Sequence, residues 1–170
     1  MSRSLPRSLD RAAFVVAYGH VFEHSPWIAE AAWDAGLPVD ADTAEGLHRA
    51  MCAALAPAPA ELKLALIQAH PDLAGKLARA GRLTTESTSE QASAGLDQLT
   101  DQERATFTRL NDAYRARFGF PFIIAVKGLS KIEILATFER RLNNDRDTEL
   151  ATALTQVERI ALLRLKDLLP

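Results

Sequence analysis

The sequence predicts an all-α protein, a single compact domain over residues 1–170 with about eight helices and no sheet. Three observations carry this. Alanine and leucine dominate, and apolar residues recur every three or four positions rather than alternating. Helix-capping signals recur along the chain. The balance of 48% hydrophobic and 25% charged residues is that of an ordinary globular protein. A chain of this length buries roughly 70% of the surface that its unfolded form exposes, so it needs no disulfide or metal staple.

The elements follow in order. Ser25-Pro26 places a cap before a first-turn proline, Trp27-Ile28 follows, and Gly36 closes that helix. Ala56-Pro57-Ala58-Pro59-Ala60 reads as a tight connection. A helix around Leu62 and Leu66 then brings His70 to its end, because a residue before proline is pushed out of the α region. Pro71 opens the next helix, with Leu73 and Leu77 facing inward and Gly81 as its stop. Ser87 with Glu90 reads as a capping box, as do Thr100 with Glu103 and Ser130 with Glu133. Phe107, Leu110, Tyr114 and Phe118 share a helical face that ends at Gly119. The last helix starts near Asp147, with a stripe of Leu150, Leu154, Val157, Ala161, Leu165 and Leu168.

The run Phe120-Pro121-Phe122-Ile123-Ile124-Ala125-Val126-Lys127-Gly128 departs from this pattern. Its β-branched residues and Pro121 favour an extended chain. With no partner strand, the run is either helical after Pro121 or turns its backbone groups toward something else, a ligand being one possibility.

Composition excludes several classes. Twenty basic against twenty-two acidic residues leave a net charge of −2 and a pI of about 6.1, which argues against a nucleic-acid binder. No run reaches the roughly 18 apolar residues of a membrane span. The expected location is the cytoplasm. Cys52 is the single cysteine, so no internal disulfide or cysteine-based zinc cluster forms; it reads as a small core residue.

Four places invite chemistry. His20-Val21-Phe22-Glu23-His24 fits a short zinc-peptidase pattern, but it lies where a helix ends before Pro26, and no metal is expected. His70 at a proline corner has the fixed direction that acid–base work requires, or it simply caps a helix. Ser87 to Gln91 either caps a helix or offers an anion site. Arg164 falls inside the apolar arc of the last helix, at about 100° per residue. There it must reach outward, pair with an internal carboxylate, or meet an anionic ligand.

Taken together, these segments resemble the 2-oxo-4-hydroxy-4-carboxy-5-ureidoimidazoline (OHCU) decarboxylases of urate degradation. The resemblance is carried by residues 22–27 (FEHSPW), 70–76 (HPDLAGK), 83–96 (LTTESTSEQASAGL), 118–128 (FGFPFIIAVKG) and 159–165 (RIALLRL), in that order along essentially the whole chain. It implies an all-α, cofactor-free decarboxylase that forms a homodimer and yields (S)-allantoin. It implies His70 as proton donor with Glu90 beside it. Substrate contacts would come from Pro71, from Ser87, Thr88, Ser89, Glu90 and Gln91, from the backbone of Phe122, Ile123, Ile124, Ala125 and Val126, and from Arg164. The expectation is a stand-alone bacterial-type enzyme without a fused transthyretin-like hydrolase domain or a peroxisomal signal. The rival expectation is a helical interaction module without chemistry, which leaves Arg164 and the 122–126 run unexplained.

Overall fold

The computed structural model describes residues 4–170. Among these are nine α-helices, two short 3-10 turns and no strand, which bears out the all-α expectation. The chain divides into two compact units. One comprises the described residues up to Ala69 together with Val157–Pro170, and the other comprises His70–Gln156.

The first unit contains α1 (Arg11–Tyr18), α2 (Trp27–Asp34), α3 (Ala44–Leu55) and α4 (Ala60–Gln68), with 3-10 turns at Pro6–Ser8 and Val39–Asp42. The Asp10 carboxylate caps α1 by accepting from the Ala13 amide, and Thr43 caps α3 in the same way through Gly46. Ser25 does not cap α2. Its hydroxyl donates to the Glu23 carbonyl instead, and the helix starts at Trp27 behind Pro26. The core is built from Phe14, Ile28, Leu47, Met51 and Leu55, all buried, with the Phe14 ring 5.2 Å from both Tyr18 and Trp33.

The second unit contains α5 (Lys76–Arg79), α6 (Thr85–Ser93), α7 (Asp101–Phe118) and α8 (Lys131–Arg141). The last helix, α9 (Arg146–Leu168), contributes residues to both units. Both reciprocal capping boxes, Thr100 with Glu103 and Ser130 with Glu133, form as the spacing predicts. An aromatic cluster centres on Tyr114, whose ring lies 4.5 Å from Phe118, 5.4 Å from Phe122 and 5.9 Å from Phe138. Phe122 stacks on Phe138 at 3.8 Å.

The buried stripe of α9 differs from the expected one. It runs through Glu149, Ala153, Val157, Ile160, Ala161, Arg164 and Leu165, while Leu150, Leu154 and Leu168 are half-buried. The leucine pattern misplaces the face because two buried positions are charged and find partners inside the protein.

Candidate active site

His70 follows the end of α4 in the chain and is 6% exposed. Pro71 does not open a helix. Residues 70–75 form an irregular loop, and α5 begins only after Gly75. Ala74 takes a left-handed conformation (φ 50°), which costs a non-glycine residue energy. Gly75 packs so closely that a Cβ would lie 2.7 Å from that of Asp72. Leu73 is buried as expected, but Leu77 is exposed, since α5 is a single turn.

Side chains from α6 and α7 hold this loop. The Ala74 amide donates to Gln91 Oε1 at 2.9 Å, and Gln91 Nε2 donates to the Asp72 carbonyl at 3.3 Å. Asn111 Nδ2 donates to the Leu73 carbonyl at 2.9 Å. Arg115 Nε pairs with the Asp72 carboxylate at 2.9 Å. Three consecutive residues after Pro71 are thus pinned from outside the loop.

The cap of α6 is Thr84, not Ser87. The Thr84 hydroxyl accepts from the Ser87 amide, so Ser87 to Gln91 lie inside the helix rather than ahead of it. Helical spacing then sorts the five residues. Ser87 and Gln91 are buried, and Glu90, half-buried, joins their side of the helix. Thr88 and Ser89 are exposed. Thr88 borders a cleft of about 400 Å³ lined also by Ala74, Gln91, Arg79 and Arg104.

The run after Gly119 is buried and forms neither helix nor strand. Gly119 ends α7 in the left-handed conformation (φ 80°) and launches Phe120 to Val126 without helix or strand. Backbone groups that a sheet would pair are met here by side chains. The Ala125 amide donates to Gln156 Oε1 at 2.9 Å, and Arg141 Nη1 donates to the Ile123 carbonyl at 2.7 Å. The Arg141 guanidinium also lies over the Phe122 ring, 4.5 Å from its centre. Of the two expectations for this run, the non-helical one holds.

Arg164, in the first unit, is 5% exposed. Its Nη1 lies 2.8 Å from Glu23 Oε2 and donates to the Val21 carbonyl at 3.3 Å. Of its three possible fates, pairing with an internal carboxylate is realised. Glu23, 2% exposed, is therefore committed to an arginine. Residues 19–24 form turns, with His24 left-handed (φ 49°), so His20 and His24 share no helical face. Cys52 is half-buried, 3.3 Å from His48 Nε2, and burial pushes its thiol up to about 12, far from a nucleophilic thiolate.

Sequence reasoning misses Asn111, Arg115, Arg141 and Gln156, and it meets Glu23 only within the zinc-peptidase pattern and the 22–27 segment, not as the partner of Arg164. Asn111 was within reach, because it interrupts the apolar face of Phe107, Leu110 and Tyr114 as Arg164 interrupts its own. The others carry no such signal: Asp72, Ile123 and Ala125, which Arg115, Arg141 and Gln156 hold, lie 43, 18 and 31 residues away.

Comparison with known proteins points one way. The OHCU decarboxylase family model matches residues 7–166. A 2-oxo-4-hydroxy-4-carboxy-5-ureidoimidazoline decarboxylase of Haloferax volcanii is 44% identical over 159 residues, covering 94% of this chain and 90% of the relative. The mouse (Mus musculus) protein of the same name is 37% identical over 166 residues, covering 95% and 89%. A crystal structure of (S)-allantoin synthase superposes with a TM-score of 0.77 at 33% identity, covering 96% of this chain and 52% of that one. A structure of OHCU decarboxylase in the presence of (S)-allantoin shares the fold, with a TM-score of 0.67 at 22% identity over 94% of this chain and 98% of that one.

Proposed function

The chain belongs to the OHCU decarboxylase family, and from that premise we propose that His70 is the proton donor in the decarboxylation of 2-oxo-4-hydroxy-4-carboxy-5-ureidoimidazoline to (S)-allantoin. The observation that carries this reading is the loop itself. A buried histidine is set at a proline corner, and the residues after it are tied down by Gln91, Asn111 and Arg115. Such constraint holds a general acid in one direction.

Decarboxylation needs an electron sink beside the departing carboxylate. In this substrate the ring carbon that bears the carboxylate neighbours a C=N bond, which accepts the electron pair as the C–C bond breaks and CO₂ leaves. The carbon that bore the carboxylate keeps its hydroxyl oxygen and becomes the ring carbonyl as the hydroxyl proton is lost, so the new proton must reach the neighbouring ureido-bearing carbon from one face. Imidazole, titrating near neutrality, suits that delivery. Glu90 is assigned a place beside His70. Pro71, the 87–91 segment and the backbone of Phe122 to Val126 are assigned substrate contacts, with the amides of the 122–126 run meeting the substrate's amide-like edges, and Arg164 is assigned an anionic or carbonyl group. The same reading carries a homodimer acting in the cytoplasm, which light scattering and fractionation check. No described helix is long and apolar enough to cross a membrane.

The test generates substrate in situ from urate and follows optical activity. The wild-type chain is expected to form (S)-allantoin well above the spontaneous rate. His70→Asn should keep the fold and lose on the order of 10²–10⁴ in turnover. Near-normal turnover in a folded His70→Asn protein removes His70 from the proton-donor role.

A further inference from the structure

We propose that Asn111 is a positioning residue for His70, acting through the backbone of Leu73. The proposal rests on the reading of His70 as proton donor and adds a residue to it.

Asn111 lies on the buried face of α7, 4% exposed, between Phe107 and Tyr114. Its Nδ2 donates to the Leu73 carbonyl, while its Oδ1 is buried and meets no donor among the described residues. An amide in this place loses hydration at both ends and regains one bond. Leucine would fill nearly the same volume against the same neighbours without that cost. Packing therefore does not account for the amide, and its single bond does.

The carbonyl it holds belongs to a loop that cannot hold its own shape. Ala74 is left-handed, Gly75 is pressed against Asp72, and residues 70–75 contribute to no helix. Their conformation is imposed by side chains. Gln91 ties the loop to α6, the helix that carries Ser87 and Glu90, while Asn111 ties it to α7. Arg115 adds an anchor on Asp72 from a half-exposed position. Between His70 and these anchors stands Pro71, whose ring fixes its φ and stiffens the link. A shift at Leu73 is thus passed on to the imidazole, and a misplacement of about 1 Å can cost about 10²-fold in rate.

The test uses two variants of the full chain, assayed on substrate generated in situ. Asn111→Leu is expected to lower kcat about ten- to hundredfold with little change in KM. Asn111→Asp supplies a readout that loss of packing would not give. A protonated carboxyl can donate to the Leu73 carbonyl as the amide does, whereas a carboxylate cannot. The ratio of variant to wild-type kcat should therefore rise as pH falls through the titration of the new carboxyl, with circular dichroism confirming the fold at each pH. The loop's own titratable and charged groups, His70 and the Asp72–Arg115 pair, are common to both proteins and largely cancel in the ratio.

A folded Asn111→Leu protein with wild-type kcat overturns the proposal, and so does an Asn111→Asp ratio that stays flat with pH. If Asn111→Leu does not fold, the Asn111→Asp series decides alone. His70→Asn, run beside them, separates the two readings. Full turnover in His70→Asn defeats the proton-donor assignment, whereas an inactive His70→Asn with a normal Asn111→Leu defeats only the positioning role.

Discussion

Among the described residues each unit buries one arginine–glutamate pair, and the two pairs are built differently. Arg141 closes α8 and Glu149 opens α9, so their partnership is nearly local. Arg141 Nε lies 3.0 Å from Glu149 Oε2, the Tyr114 hydroxyl donates to the same carboxylate, and Asn144 Nδ2 donates to it at 2.8 Å. Burial, aided by the bond to Glu149, pushes the Tyr114 hydroxyl well above the usual phenol range. Arg164 and Glu23 come from opposite ends of the chain, and Glu23 sits in a turn. Yet both arginines also donate to a backbone carbonyl in a non-helical segment, Ile123 in one case and Val21 in the other. An all-helical fold has no strand to pair such backbone with, and buried guanidinium groups serve instead. The difference lies in what surrounds the carboxylate. Glu149 is enclosed by three donor side chains and its role is architectural. Arg164 combines a structural pairing with the place assigned to a substrate anion.

The largest effect should come from breaking the enclosed pair. Arg141→Met strands Glu149, which is fully buried, and releases the Ile123 carbonyl. Removing one member of a buried pair costs about 3–5 kcal/mol, and this network should fall at the upper end. Urea unfolding followed by circular dichroism measures it. A loss below about 1 kcal/mol would mean that Tyr114 and Asn144 alone satisfy the carboxylate, and the contrast between the pairs would fail.

The second pair sharpens the contrast through a cycle. Arg164→Met alone strands Glu23 and should cost about 3 kcal/mol, less than Arg141→Met because a turn can rearrange and admit water. Adding Glu23→Leu removes the stranded charge and should restore most of that stability. Substrate binding should not return with it. A charge-assisted hydrogen bond is worth about 1.5–3 kcal/mol, so KM should stay about tenfold or more above wild type in both variants. A double variant that regains both stability and KM would make Arg164 architectural, like Arg141, and would leave His70 standing.

The comparison also explains what could be read from sequence. Local rules were enough for α7 and α8, because Thr100 with Glu103 and Ser130 with Glu133 satisfy each other within one turn. They misplaced the start of α6, where Thr84 and Ser87 are both acceptable caps and tertiary burial of Ser87 decides. They opened a helix at Pro71, whereas Ala74 takes a left-handed conformation that no local preference foretells. The resemblance named His70 and the 122–126 run, and the wheel argument singled out Arg164. Neither could supply Gln156, the bond from Arg141 to Ile123 or the pairing of Glu23 with Arg164, because each is a contact that exists only once separate segments have met.

The smallest effect belongs to a pair of the same charge type at the surface. Glu45 and Lys166 lie 3.0 Å apart with their side chains about half exposed. The hydrogen bond from Lys166, followed by a backbone amide, holds the Glu45 carboxyl below its ordinary range. Because the folded value is the lower one, the stabilisation is present above the ordinary carboxylate range and is lost as pH falls through the folded value. Solvent and salt screen such a pair, so Lys166→Ala should lower Tm slightly at neutral pH and low ionic strength. That small difference should disappear in high salt. It should also disappear in acid, where Glu45 is protonated in both proteins and Lys166 has no carboxylate to meet. A large drop in Tm, or one that persists in acid, would show Lys166 contributing through its packed alkyl stem rather than its charge. Burial of the charge would then no longer be what separates this pair from the two inside.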